Sequence, residues 1–469
     1  MSSVSPSPKI PTFIAQGGYG CVYSAPIGQK KHIPLPCKEG LWCVTKIIGR
    51  GSAEEAVKNG QVMKSVDPGY VYHVPTFEEI IPMSKEDQTK YRCTLSERAG
   101  DPYLMYQEYA GVALDVIYKK LSLDPPAGTD GTPLKLGREF FKSMGNIFEA
   151  LVLFTSKIHE SHEIVVHGDL KLGNILLDEK GQMRLIDFDF SLHYNLKTLE
   201  GENFFVGASP YAMGSRDAYS VWPPEVYFLY YSQPRRRSDY LDKGLVDPQE
   251  IIPGKVEASS YEKFLRDRYF HSSSKVLKVL HLTRSEIDRF VEESLGYLRA
   301  LKAGGELFEY GRWDGKKREF LPDPEGNMMR LTLSFATKIY ERFDLWGLGL
   351  TLKDLLAKDA FVDGKFQKNI SNLETEIQGL ASGLGALADA IVKQPVLEGR
   401  PTPVQALKAY TDIIEGGPVG RLLALLSWPF EKLNAFLRWS RLGVGAQRAN
   451  SVLKPLPTFI VSQAPRTWR

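Results

Sequence analysis

Apolar and polar residues alternate in short bursts over the first hundred positions, then fall into a helical rhythm. Residues 12–14, 21–24, 42–48, 71–74 and 104–108 each read as a strand bounded by turn-forming residues, and a helical stretch at 52–66 sits among them. The pattern predicts a small, mostly antiparallel sheet with one helix. From 137 to 159 the period changes: Phe140, Phe141, Met144, Ile147, Phe148, Leu151, Phe154 and Ile158 recur at helical spacing and predict a long buried helix. A second apolar helix is predicted at 344–357, through Leu345, Leu348, Leu350, Leu352 and Leu355, and a third at 373–392. Between the first two, a pair of short apolar strands flanks the turn Asp178-Glu179-Lys180-Gly181. A strand-rich front thus meets a helix-rich back.

Residues 225–344 fit neither half cleanly. Helical patterns recur at 261–270, 275–281 and 284–302, preceded by the basic run Arg235-Arg236-Arg237, which reads first as a solvated cluster. The breaker Gly416-Gly417-Pro418 separates the helical half from an apolar stripe at 420–439. That stripe is expected to pack on the helical half, and residues 453–469 read as an extended, proline-rich tail.

Composition changes this picture little. The chain has 469 residues, 43% of them hydrophobic and 25% charged, and a net charge of +3 that gives no reason to expect nucleic-acid binding. Cys21, Cys37, Cys43 and Cys93 show no metal-ligand spacing, and the simplest reading is free thiols in a reducing compartment. Residues 1–11 form a Ser/Pro-rich arm without the apolar core of a secretory signal. No apolar run is long enough to span a bilayer, so a cytoplasmic location is expected.

The densest chemistry lies at the seam of the two halves. His167-Gly168-Asp169-Leu170-Lys171-Leu172-Gly173-Asn174 offers a base, a lysine and an asparagine, and Leu185-Ile186-Asp187-Phe188-Asp189 follows on the next apolar strand. Phosphoryl transfer needs a carboxylate to accept a hydroxyl proton and oxygen ligands for Mg²⁺; Asp169, Asn174 and Asp187 supply them at a suitable spacing. Near the front of the chain, Ala15-Gln16-Gly17-Gly18-Tyr19-Gly20-Cys21-Val22 is a glycine-rich hairpin whose backbone N–H groups can approach phosphate oxygens. One strand later, in Cys43-Val44-Thr45-Lys46-Ile47, Lys46 lies among apolar strand residues and reads as a phosphate ligand.

With these residues in order, the chain resembles the eukaryotic-type Ser/Thr protein kinases. Gly17, Gly18, Gly20 and Val22 match the glycine-rich loop, and Lys46 matches the strand lysine that contacts the nucleotide phosphates. Gln107-Glu108-Tyr109-Ala110 resembles the gatekeeper and hinge, while Val22, Val44 and Leu176 fall at positions that sandwich the base. Trp222-Pro223-Pro224-Glu225 resembles the A-P-E element. Asp344-Leu345-Trp346-Gly347-Leu348-Gly349 resembles the D-x-W-x-x-G helix, and Gly399-Arg400-Pro401-Thr402 resembles the segment whose arginine pairs in that family with the A-P-E glutamate, here Glu225. The short words Gly17-Gly18-Tyr19-Gly20, Asp67-Pro68 and Pro223-Pro224-Glu225 are most like kinases of large nucleocytoplasmic DNA viruses.

The resemblance implies an α+β, bilobal fold. Its parts are an arm at 1–10, a small antiparallel lobe with one helix at 11–110, and a larger helical lobe at 111–412 with an insertion at about 228–338. A C-terminal extension at 413–469 completes the chain. ATP and Mg²⁺, or Mn²⁺ in its place, are the implied cofactors, with Asn174 and Asp187 as metal ligands and Asp169, Lys171 and Lys46 as catalytic groups. Glu108 and Ala110 would meet the adenine. Protein substrates are the implied partners, docked or blocked by the 226–343 insertion, and nucleic acid is not among them. Three positions depart from the family. Gly168 replaces the arginine that senses a phosphorylated activation segment, so activity independent of that switch is expected. Asp189 replaces the glycine of D-F-G. The glutamate partner of Lys46 is assigned to Glu55, with Glu54 next to it, because helical phase points to Asn59, which is no acid. Gly168 and Asp189 also resemble small-molecule kinases of the aminoglycoside and choline type, and a pseudokinase scaffold is the third reading.

Overall fold

The computed structural model describes residues 11, 13–16, 20–24, 26–27, 33–34, 37, 43–95, 100–123, 137–196, 221–226, 258–271, 274–314, 319–325, 328–357, 359–362, 365–368 and 375–416. Strands β1 (Phe13–Gln16), β2 (Gly20–Tyr23), β3 (Cys43–Gly49), β4 (Thr76–Pro82) and β5 (Pro102–Glu108) form an antiparallel sheet in the order β1-β2-β3-β5-β4. Strand alternation sorts the side chains onto two faces. Cys21, Tyr23, Ile47, Leu104 and Tyr106 form one buried cluster, while Val22, Val44 and Lys46 are only half-buried. Helix α1 (Arg50–Val66) follows β3 directly and packs Ala53 and Ala56 against Ile48 and Met105. The short helix α2 (Lys85–Lys90) is capped by Ser84, whose hydroxyl accepts from the Asp87 backbone N–H.

Three expectations for this region are corrected, the first being the single helix: α2 is a second one, and because it buries no residue it has no apolar period to announce it. Residues 71–74 form no strand beyond an isolated bridge of His73 to Leu185, because the Asp67 carboxylate accepts the backbone N–H groups of Val71, Tyr72 and His73 and holds them in a loop. The strand comes later, as β4, at an edge of the sheet where the exposed Glu78 and Glu79 are tolerated and mask the pattern. Nor are the thiols free: Cys21 pairs with Cys93 and Cys37 with Cys43. Folding brings β2 beside the segment after α2 across a sequence separation of 72, a proximity that spacing alone cannot reveal.

The remainder packs around one large apolar core. Its helices are α3 (Leu114–Leu123), α4 (Arg138–Ser161) and α5 (Ala258–Phe264), which continues as a π-turn over Leu265–Tyr269. They are followed by α6 (Lys275–Leu280), α7 (Arg284–Ala303), α8 (Leu333–Glu341), α9 (Phe343–Leu356), α10 (Thr375–Val392) and α11 (Pro403–Ile414). The apolar face of α4 follows its periodicity, with Phe141, Met144, Ile147, Phe148, Leu151, Phe154 and Ile158 buried and Phe140 half-buried against the core. Of the short strands β6 (Val112–Ala113), β7 (Glu163–Val166), β8 (Ile175–Leu177), β9 (Met183–Leu185) and β10 (Leu192–Asn195), β6, β8 and β9 form one sheet and β7 pairs with β10. The tight turn between β8 and β9 uses Gly181 at φ +80°.

The segment between Glu225 and Asp344 carries the expected helices as α5–α7. It also contains α8 and an unexpected three-stranded sheet of β11 (Phe308–Asp314), β12 (Glu319–Pro322) and β13 (Met328–Leu331). A hairpin of β14 (Asp359–Val362) and β15 (Lys365–Lys368) precedes α10. The arm at 1–10, Gly17, Gly18, Arg235–Arg237, the 420–439 stripe and the 453–469 tail lie outside the described residues.

Candidate active site

The loop after β7 holds Asp169 at 2% exposure. Lys171 Nζ donates to Asp169 Oδ2 at 2.7 Å, and Asn174 Nδ2 donates to the same oxygen at 2.9 Å and to the Asp169 carbonyl at 2.8 Å. A 3₁₀ turn over Leu172–Asn174 places the asparagine, so the three predicted groups meet at one carboxylate. Beneath them the Asp344 carboxylate, at the start of α9, accepts the backbone N–H groups of His167 at 2.7 Å and Gly168 at 2.9 Å. Burial raises the Asp344 carboxyl above its ordinary range, although His167 and the two backbone N–H groups pull the other way. Asp344 therefore anchors the loop. Helix α9 can come this close because Gly347 has no Cβ, which would stand 2.7 Å from the Leu170 carbonyl oxygen.

Both ring nitrogens of His167 serve the backbone. Nδ1 accepts from the Asp169 N–H at 3.2 Å, which leaves Nε2 to donate to the Ile186 carbonyl at 2.9 Å. The ring also packs 4.5 Å from that of Phe188. Gly168 sits at φ +76°, and a Cβ there would fall 2.1 Å from the Phe190 carbonyl oxygen, so no side chain fits where the kinase family carries arginine.

On β3, Lys46 Nζ donates to Asp187 Oδ1 at 2.7 Å. Burial would discharge Lys46, but the charges of Asp187 and Asp189 outweigh it and raise its pKa. Burial would likewise raise Asp187; Lys46, through its charge and hydrogen bond, holds that carboxyl below the ordinary range. Asp187 has left-handed backbone at φ +66°. Asp189 behaves in the opposite way. Burial lifts its carboxyl to about 7 against the attraction of Lys46, helped by the charges of Asp187 and Glu55 and a hydrogen bond to Asp187.

The assignment of Glu55 as the partner of Lys46 is corrected: the carboxylate that Lys46 grips is Asp187, and Glu55 is exposed and acts on Asp189 through its charge. The inward positions of α1 are Ala53, Ala56, Asn59, Met63 and Val66, and Asn59 Nδ2 donates to the Phe188 carbonyl at 2.7 Å. Helical phase points to Asn59, and its partner is a backbone carbonyl rather than a lysine.

Around the expected base pocket, Val22 pairs with Lys46 and Val44 with Gln107 in the strand register. Leu176 lies on β8, Ala110 is buried, and Gly20 begins β2. Glu108 accepts a 3.2 Å bond from Arg184, while Gln107 Nε2 donates to Thr76 Oγ1 at 2.9 Å.

Behind the Asp169 loop, Glu225 and Arg400 are each 3% exposed and joined by two hydrogen bonds of 2.9 and 2.6 Å. The Arg400 guanidinium also lies 4.7 Å over the Trp346 ring. Tyr261 donates to the Pro224 carbonyl at 2.9 Å and Tyr269 to that of Trp222 at 2.7 Å, so α5 and its π-turn are bonded to Trp222-Pro223-Pro224-Glu225. No local sequence signal marks these tyrosines, because their partners are carbonyls some forty residues away.

Among the described residues, no group of three or more His, Cys, Asp or Glu side chains could hold a metal by itself. Asn174 and Asp187 nonetheless fit Mg²⁺, which takes oxygen ligands, commonly one or two from protein with the rest from phosphate and water. Asn174 uses its N–H groups on Asp169, leaving Oδ1 as its oxygen ligand.

No family model matches the chain. It is 33% identical over 128 residues to the MAP kinase kinase MKK1/SSP32 of Saccharomyces cerevisiae, an alignment covering 26% of this chain and 22% of the yeast protein. Over that stretch the chain is similar to a protein kinase, and a kinase-like phosphotransferase is the class supported. No described helix is long and apolar enough to cross a membrane.

Proposed function

We propose that the chain is an ATP- and Mg²⁺-dependent serine/threonine protein kinase, of the kind found in large DNA viruses, that acts without needing a phosphorylated activation segment. The small lobe would be residues 11–110 and the large one 111–412. The observation that carries this reading is the meeting of Lys171 and Asn174 at Asp169, facing the Lys46–Asp187 pair.

In this reading Asp169 accepts or orients the proton of the acceptor hydroxyl, and its burial keeps bulk water from competing. Lys171 neutralises charge on the group in transfer. Lys46 turns from Asp187 to the nucleotide phosphates, while Asn174 and Asp187 hold Mg²⁺, which neutralises phosphate charge when bound. The absence of room for a side chain at Gly168 is the reason no phosphate switch is invoked. The weld of Glu225 to Arg400 favours a peptide acceptor, because it fixes the segment against which a peptide would lie.

The test is transfer from labelled ATP to a mixed panel of serine and threonine peptides and aminoglycosides. Asp169→Asn should lower turnover by roughly 10²–10⁴-fold. Near-normal turnover in that variant refutes the assignment of the base. Label in aminoglycosides alone would favour the small-molecule reading that Gly168 and Asp189 suggest, and binding of Mg²⁺·ATP with no transfer by wild type would favour the scaffold.

A further inference from the structure

The peptide that leads into Asp169 is held at three atoms. Gly168 N–H donates to Asp344, Asp169 N–H donates to His167 Nδ1, and the Gly168 carbonyl accepts the Trp222 indole N–H at 2.6 Å. The first two partners are internal to the loop and its floor. Trp222 comes from a different part of the chain and is fully buried.

Trp222 is itself fixed on several sides. Its carbonyl accepts from Tyr269 at 2.7 Å, and its ring packs edge-on to Phe190 and Phe343, each at 6.4 Å between centroids. Three residues later Glu225 is clamped by Arg400. The side chains that make these contacts are all buried or half-buried.

We propose that Trp222 is the positioning residue for Asp169, fixing the Gly168–Asp169 peptide through its indole N–H so that the base is aligned in the chain as made. The inference rests on the kinase reading and deepens it by naming what stands in for a phosphate-sensing arginine. A side chain at Gly168 has no room, so the loop is aligned from outside, through its backbone. The same tryptophan begins the Trp-Pro-Pro-Glu segment, so base and acceptor platform share one rigid connection.

The test compares wild type, Trp222→Phe and Tyr269→Phe as full chains, with kcat, KM for ATP and thermal unfolding measured for each. Phenylalanine keeps an aromatic ring against Phe190 and Phe343 but cannot donate to Gly168. Trp222→Phe should lower kcat on the order of 10- to 10²-fold, the cost of misplacing a reacting group by about an ångström. KM for ATP should change less than about twofold, since the Lys46 side of the cleft is untouched. Phosphatase treatment should leave wild-type kcat unchanged. If Trp222→Phe does not fold, Tyr269→Phe carries the test, because it frees the Trp222 carbonyl and should lower kcat in the same selective way. Unchanged kcat in the folded variants, an effect confined to KM for ATP, or loss of wild-type activity on dephosphorylation overturns the proposal while leaving the kinase reading intact. Wild type that transfers no phosphate to any acceptor takes down both.

Discussion

Arg400→Met should be among the most destabilising single substitutions in the helical body. The guanidinium makes two short bonds to a carboxylate that is 3% exposed, and removing it leaves Glu225 buried without its partner. Breaking such a pair from one side costs about 3–5 kcal/mol, against roughly 5–15 kcal/mol for the whole stability of a typical domain. A further 1 kcal/mol or so goes with the contact over Trp346. Thermal unfolding should move down by at least about 6 °C, taking roughly 2 °C per kcal/mol for a body of this size. The double variant Glu225→Met/Arg400→Met separates burial from pairing. It has no stranded charge, and should return to within about 2 kcal/mol of wild type, because apolar replacement of a buried pair is often neutral or better. Urea titration of wild type, both single variants and the double variant closes the cycle. A loss below about 1 kcal/mol in Arg400→Met, the usual worth of an exposed pair, would refute the reasoning. So would a double variant no more stable than the single one.

Asp189, raised from its ordinary 3.8 to about 7, binds its proton more tightly in the folded chain than in the unfolded one. Its contribution to stability is therefore fully present below about pH 4 and is lost as pH rises towards 7, and Asp189→Asn should flatten that part of a melting-temperature profile; an unchanged slope counts against it. For the cystines, chain entropy predicts about 4 kcal/mol from Cys21–Cys93, separated by 72 positions, and about 2 kcal/mol from Cys37–Cys43, separated by 6. Paired serine substitutions measured by urea unfolding under non-reducing conditions should reproduce that order, and a reversed order would contradict it.

The parts of the fold that could be read in advance are those where one local pattern dictates the outcome. The period of α4 places Phe141, Phe148 and Phe154 inside without reference to the rest of the chain. The five-residue spacing from Asp169 to Asn174 likewise matters because a 3₁₀ turn joins them locally. What escaped depends on distant partners. Tyr261 and Tyr269 act on the carbonyls of Pro224 and Trp222, and Cys93 pairs with Cys21 across 72 positions. The loop at Val71–His73 misled because its apolar alternation is strand-like, yet a preceding carboxylate takes its backbone N–H groups first. The acid beside Lys46 is Asp187, 141 residues away, which the phase of α1 has no means to reveal.

The bond from Asn59 to the Phe188 carbonyl ties α1 to the segment carrying Asp187 without using any charge. An amide neither titrates between pH 3 and 10 nor gathers counter-ions. Helix and loop should therefore keep their relative placement in concentrated salt and in acid, conditions that weaken a lysine–glutamate tether. The Lys46–Asp187 pair and the charge of Glu55 felt by Asp189 remain responsive to the ionic surroundings, so a fixed hinge pin stands beside a tunable clasp.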